Sequence, residues 1–152
     1  LGIGEGAIGL VKLGLIQNGI ISNMDDNSPY ITSNFYGRFT SDLVDVKVLS
    51  NLSPWMNEME VGETYTVPIA TKEGRILLGN NADKLLSNGQ ITTQFVSNNL
   101  TGSEKSVESL TSPDGRVLAT ITSIDRMGDN IYKNVKLEGK HKIFESGVKY
   151  FA

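Results

Sequence analysis

Leu1-Gly2-Ile3-Gly4-Glu5-Gly6-Ala7-Ile8-Gly9-Leu10, continued by Val11-Lys12-Leu13-Gly14-Leu15, carries five glycines among apolar residues. A short apolar run meets a cluster of glycines and passes into a segment with apolar residues at Ile8, Leu10, Val11, Leu13 and Leu15. This is the pattern of a strand entering a helix through a tight turn, the basic step of an α/β fold. Turns of the form Gly-x-nucleophile-x-Gly expose an attacking side chain at their apex, and the flanking glycines leave room for the strained backbone. Here Gly2 and Gly6 flank Gly4, and the apex carries no side chain. From Ala7 to Ile16 the pattern predicts a helix buried on most sides. Gly9 and Gly14 would each cost it about 1 kcal/mol relative to alanine, so they are expected to allow close packing or to end it.

Read through to its end, the chain resembles the glutaminase domain of large, single-chain phosphoribosylformylglycinamidine synthases. The family's nucleophile elbow reads LGICNGFQALIKLGL, and Gly4 stands where it has its cysteine. The resemblance continues in register through Asn27-Ser28-Pro29, Gly37-Arg38, Ser50-Asn51-Leu52-Ser53-Pro54-Trp55-Met56, Glu73-Gly74-Arg75 and Asn88-Gly89-Gln90-Ile91. It extends to Thr111-Ser112-Pro113-Asp114-Gly115-Arg116 and Gly128-Asp129-Asn130-Ile131-Tyr132-Lys133-Asn134. The resemblance implies an α/β fold of the class I glutamine amidotransferase type, a flavodoxin-like three-layer sandwich. Residues 1–152 would form a partial domain from the elbow onward, incomplete at the N-terminus and strand-rich and antiparallel in its middle. Leu1, in place of Met and in mid-strand, adds to the expectation that the chain is the C-terminal part of something longer.

The same resemblance implies which residues would carry chemistry. A Cys-His-Glu site hydrolyses glutamine in the family and supplies ammonia for the ATP-dependent conversion of formylglycinamide ribonucleotide to the amidine. In this chain Thr122-Ser123-Ile124-Asp125-Arg126 matches the family's GHSER segment, so Ser123 replaces the histidine and Asp125 the glutamate. Beside the apex, Gly6 is kept, while Glu5 and Ile8 replace an asparagine and a substrate-binding glutamine. Thr71 stands at the histidine of the family's HGEGR turn, with Glu73, Gly74 and Arg75 retained. A glycine cannot attack an amide, a serine is not a base near neutral pH, and an aspartate with no imidazole to orient has no role in a triad. Glutamine hydrolysis is therefore expected to be lost, leaving a degenerate domain or a non-catalytic module that docks on a synthetase portion in the same or another chain.

Composition narrows the alternatives. Fourteen basic against seventeen acidic side chains give a net charge of −3, and no basic block marks a nucleic-acid surface. The absence of cysteine excludes a disulfide, a thiolate metal site and a cysteine nucleophile, and a single histidine, His141, excludes multi-histidine metal clusters. No cofactor, metal, nucleic acid or membrane contact is expected of this chain. No run of about eighteen apolar residues occurs, and no basic-then-apolar leader opens the chain, so a soluble, cytoplasmic protein is expected.

Farther along, residues 18–38 read as loop, and Val44, Val46 and Val48 alternate with Asp45 and Lys47 as a half-buried strand. Strands are expected over 64–70, 75–78, 91–96 and 117–124, with a turn at Pro113-Asp114-Gly115. Polar residues 97–109 are the expected mobile segment. His141, between Lys140 and Lys142, reads as a solvated residue. Gly4-x-Gly6-x-x-Gly9 followed by Asp25 and Asp26 also satisfies a dinucleotide fingerprint, but Asp25 falls in a loop rather than at a strand end. Trp55 and Met56 read as core or as a docking face, and Glu58, Glu60 and Glu63 as a solvated acidic face. If strands that precede the elbow in the family are missing, Ile8, Leu10, Val11 or Leu13 would be bare. Self-association through that N-terminal face, or repacking over it, would follow.

Overall fold

The computed structural model describes residues 1–137 and 140–152. Its elements, in order, are β1 (Gly2–Ile3), α1 (Glu5–Lys12), α2 (Leu15–Asn18), β2 (Tyr30–Thr32), β3 (Thr40–Val48) and β4 (Thr64–Thr71). They continue with β5 (Arg75–Leu77), α3 (Ala82–Ser87), β6 (Ile91–Phe95), β7 (Val107–Thr111), β8 (Leu118–Thr120) and α4 (Ile143–Phe151). A six-stranded sheet runs β1-β8-β7-β6-β3-β4, and β2 pairs with β5 in a separate two-stranded sheet. Among the described residues only the β1–β8 pairing is parallel, and the other pairings are antiparallel. This is the α/β class with a strand-rich antiparallel middle that the sequence calls for.

β3 carries the clearest pattern, since Val44, Val46 and Val48 are buried while Ser41, Asp42 and Lys47 are exposed. It lies between β4 and β6, so its valines enter the core with Val67 and Ile69 of β4 and Phe95 of β6.

The helix expected over 7–16 is instead two. Gly14, at φ +74°, ends α1, with its N–H bonded to the Val11 carbonyl at 2.9 Å. A β-carbon there would sit 2.3 Å from Ser22 Oγ, so only glycine lets the chain fold back.

The N-terminal face is not bare. Ile8 and Val11 are buried and Leu10 half-buried, because α1 packs on β1, β8, α2 and the β2 segment; Leu13 alone of the four stays exposed.

Two other segments differ from expectation. The strand expected over 117–124 pairs only through Leu118–Thr120. Past it, Thr122 donates its N–H to the Glu108 carboxylate and Ser123 its N–H to the Pro68 carbonyl. A side chain and a neighbouring strand thus take the donors that a longer β7–β8 ladder would have used, and a 3-10 turn follows at Ile124–Arg126. Residues 97–109 are not a mobile tract. Asn99 Oδ1 accepts the N–H groups of Gly102 and Ser103, its Nδ2 donates to the Ser103 carbonyl, and β7 begins at Val107 fully buried. Local side-chain hydrogen bonds order this stretch, and hydrophobic periodicity does not register them.

Candidate functional site: a strand-to-helix elbow without a side chain

β1 stops at Ile3, α1 starts at Glu5, and Gly4 between them has φ 56° and ψ −117°. That conformation is nearly closed to residues with a β-carbon and open to glycine. Gly4 N–H donates to the Thr120 carbonyl at 2.9 Å, and the Ala7 N–H returns to the Gly4 carbonyl at 3.0 Å. The flanking glycines divide in their roles. A β-carbon at Gly2 would come within 2.6 Å of the Gly6 carbonyl oxygen and Leu10 Cδ1, whereas one at Gly6 meets nothing within 4 Å. Steric need thus accounts for Gly2 and not for Gly6.

An added β-carbon at Gly4 also meets nothing within 4 Å. It would point into open space beside a cleft of about 470 Å³ lined by Gly4, Glu5, Ile8, Phe39, Ala70, Thr71, Lys72 and Glu73. Asn34 shapes the far wall. Its Nδ2 donates to the carbonyls of Arg38 and Thr71 at 2.9 and 2.8 Å, and its Oδ1 accepts the Gly74 N–H at 2.9 Å. The turn 72–74 needs Gly74 because a β-carbon would strike Thr71 Cγ2 at 2.5 Å. Arg75 donates Nε to the Gly102 carbonyl and lies 5.3 Å above the Phe35 ring.

Ser123 follows β8, the strand to which the elbow is bonded, and is buried; Asp125, in the 3-10 turn after it, is exposed. Neither lines the cleft at Gly4. Behind this end of β8 lies a feature that the sequence reading missed. Glu108 of β7, 2% exposed, accepts hydrogen bonds from the hydroxyls of Thr93, Thr120 and Thr122 and from the Thr122 N–H. A charged residue inside the β-forming run Val107-Glu108-Ser109-Leu110-Thr111 was its only signal.

Residues 1–151 match the CobB/CobQ-like glutamine amidotransferase domain. The chain belongs to that family. Among similar proteins is the phosphoribosylformylglycinamidine synthase subunit PurQ of Synechococcus sp. (strain JA-3-3Ab), 28% identical over 130 residues, which are 85% of this chain and 53% of that protein. The PurQ of Methanosphaera stadtmanae is 26% identical over 151 residues, 99% of this chain and 58% of that protein. A solved structure described as PurLQS from Thermotoga maritima shares the fold with a TM-score of 0.77 at 23% identity, covering 99% of this chain and 61% of that one. The chain thus spans little more than half the length of these PurQ relatives.

Seen as a glutamine amidotransferase domain, the remaining candidates sort as follows. Asp25 sits in a loop, where its Oδ1 accepts from the Asn27 N–H and the Ser28 hydroxyl; these bonds, Ser28 first, hold its carboxyl below the usual range. It organises its own turn. Trp55 is half-buried, donates Nε1 to the Arg116 carbonyl at 2.8 Å and packs on Phe151 at 5.0 Å, while Met56 is buried. Glu60 and Glu63 are exposed, as a solvated acidic face requires, while Glu58 pairs with Lys149 at 2.7 Å and Glu63 accepts from the Tyr65 hydroxyl. Among the described residues no group of three or more acidic, histidine or cysteine side chains is arranged to hold a metal. No helix among them is long and apolar enough to cross a membrane. His141 is half-buried rather than solvated. Its ring packs edge-on against Tyr65 at 5.4 Å and its Nδ1 is cut off from water. Burial pushes its pKa down to about 4, against an opposing pull from the Glu108 carboxylate.

Proposed function

We propose that this chain is a PurQ-like glutaminase domain, part of a phosphoribosylformylglycinamidine synthase of purine biosynthesis, that no longer hydrolyses glutamine. One observation carries the reading: the apex of a well-formed elbow, beside an open cleft, is Gly4. A covalent acyl intermediate needs a nucleophilic sulfur or oxygen on a β-carbon at this apex, and glycine has no β-carbon. The resemblance assigns Ser123 and Asp125 to the base and its orienting acid; a serine is no base near neutral pH, and Asp125 has no imidazole to orient. Glu5 and Ile8 offer none of the amide hydrogen bonds that the family's asparagine and glutamine provide. On this reading the chain is a partial domain over residues 1–152, it needs no cofactor of its own, and it works with a synthetase portion in the same or another chain. Ammonia release from glutamine by the purified chain, measured against a Gly4→Ala control, tests it. Release above the control overturns the proposal.

A second reading, a non-catalytic module docking on a synthetase partner, is favoured by the rim of the cleft. Phe35, Tyr36 and Phe39 are 62%, 73% and 65% exposed, on a loop that Asn34 pins to the turn at 72–74. Aromatic side chains on a fixed loop are the residue types that dominate binding energy at interfaces. Co-purification of the tagged chain with its synthetase, lost in a Phe35→Ser/Tyr36→Ser/Phe39→Ser variant, is the expected result.

A further inference from the structure

α4 has two faces. Ile143, Ser146 and Gly147 are buried where the helix meets the Pro54–Met56 turn, and Ser146 Oγ accepts the Glu58 N–H at 3.1 Å. On the other face Phe144, Val148 and Phe151, 46%, 66% and 47% exposed, fall at the i, i+4, i+7 spacing of a single stripe. Shallow hollows open on both sides of that stripe, one lined by Trp55, Gly147 and Ala152, the other rimmed by Glu145 and Lys149. A contiguous apolar stripe with a charged edge is the mark of an interaction surface.

We propose that this stripe is an interface between two copies of this chain, packed with their α4 helices antiparallel. It involves neither the elbow nor the aromatic loop at 35–39, and is independent of how either is read. A two-fold contact sets one patch against itself, so the patch has to be self-complementary. Phe144 and Phe151 stand on opposite sides of the helix midpoint. Antiparallel packing therefore sets Phe144 of one copy on Phe151 of the other, with Val148 of both near the axis. Aromatic pairs of this kind contribute beyond the area they bury.

Charge selects the same arrangement. Glu145 and Lys149 are placed evenly about Gly147, carry opposite charges and share one edge of the stripe. The antiparallel two-fold brings Glu145 of each copy to Lys149 of the other, whereas a parallel pair turns this edge toward the Trp55 side and gives neither residue an opposite charge. Complementary edges fix orientation and exclude other partners more than they add affinity. Each of the two also has a partner in its own chain, Lys140 at 3.5 Å and Glu58 at 2.7 Å, yet both stay exposed. Pairs across the axis join these into a network. A net charge of −3 puts little repulsion between copies. The nine residues of α4 span about 13 Å, so the contact is smaller than that of a permanent dimer and the association is reversible.

The test is sedimentation velocity of the intact chain from micromolar to millimolar concentration, with circular dichroism and Trp55 fluorescence to show that each variant folds. A monomer–dimer equilibrium is expected. Val148→Asp, at an exposed position, should weaken it about tenfold or more, because it buries a charge at the axis. Glu145→Lys and Lys149→Glu should each weaken it, and an equimolar mixture of the two should associate about tenfold more tightly than either alone. The chain carrying both reversals should recover wild-type association. A chain that stays monomeric at millimolar concentration, unchanged association in Val148→Asp, or a mixture no tighter than its components would each overturn the proposal. A monomer whose stripe is covered only by a synthetase chain would overturn it as well. Should Val148→Asp fail to fold, the mixture and the double reversal decide it.

Discussion

The N–H of Gly4 donates to the carbonyl of Thr120 at 2.9 Å, fastening the elbow to the strand whose continuation carries Ser123. Residues far apart in sequence are thereby held at one end of the parallel β1–β8 pair, with Ile3 opposite Thr120. Gly4 and Ser123 therefore lie close to one end of two neighbouring strands, whatever chemistry the site carries.

Restoring the nucleophile alone is expected to fail. In Gly4→Cys the new side chain has room, since nothing lies within 4 Å of its β-carbon. The backbone at φ 56° and ψ −117° strains any residue but glycine, which should lower stability by about 1–3 kcal/mol. The N-terminus of α1 should make the thiol more reactive toward iodoacetamide than an ordinary cysteine, yet no ammonia should appear with glutamine, because no imidazole is there to carry protons. Ammonia from the single variant would show that a base is within reach of position 4.

Glu108→Ala should be among the most damaging single changes in the chain. It leaves the hydroxyls of Thr93, Thr120 and Thr122 and the Thr122 N–H without their acceptor inside the sheet. Orphaning several buried donors is expected to destabilise by about 3 kcal/mol or more. Urea denaturation of Glu108→Ala beside Glu108→Gln measures this, and Gln, which keeps one acceptor oxygen, should lose less.

Stability should fall on acidification through His141. Its folded pKa is pushed down to about 4 from 6.5, so between these values the unfolded chain holds a proton that the folded chain does not. The contribution is complete above pH 6.5, is lost as pH falls toward 4, and is flat below that. At about 1.4 kcal/mol per pH unit, and with a side chain only partly removed from water, the loss should be about 2–3 kcal/mol. Urea midpoints across this range measure it, and His141→Leu should flatten the slope. An equal slope in the variant would assign the acid sensitivity to the carboxylates.

Gly147 lets α4 close on the 3-10 turn of Pro54–Met56. A β-carbon there would stand 2.3 Å from Trp55 Cζ3. Gly147→Ala should therefore lower stability despite alanine's better helix propensity, by about 1–3 kcal/mol as for other overpacked sites. A blue-to-red shift of Trp55 fluorescence should accompany the loss. A stabilised variant would mean that the helix shifts without penalty.

Asn34→Ala should loosen the wall of the cleft. It removes the acceptor for the Gly74 N–H and the donor to the carbonyls of Arg38 and Thr71. A loss of about 2 kcal/mol is expected for this buried set, with faster hydrogen exchange at Gly74 than elsewhere in the sheet.

The sequence by itself determined the class of fold, the place of the elbow and the identity of its apex. These are local facts: glycines at a tight turn, a period of two in Val44, Val46 and Val48, and a run of blocks in a recognisable order all follow from neighbouring residues. Where α1 ends was decided by the approach of Ser22 to Gly14, a contact that no local pattern specifies. The burial of Ile8 and Val11 depended on what packs over α1, and the order of residues 97–109 on the side chain of Asn99. His141 looked solvated because its chain neighbours are lysines, yet Tyr65, distant in sequence, covers its ring. The place of Glu108 is set by Thr93, Thr120 and Thr122, which converge on it from neighbouring strands. Hydrogen bonds and burial of this kind join residues that only the folded chain brings together, so the tertiary structure alone could decide them.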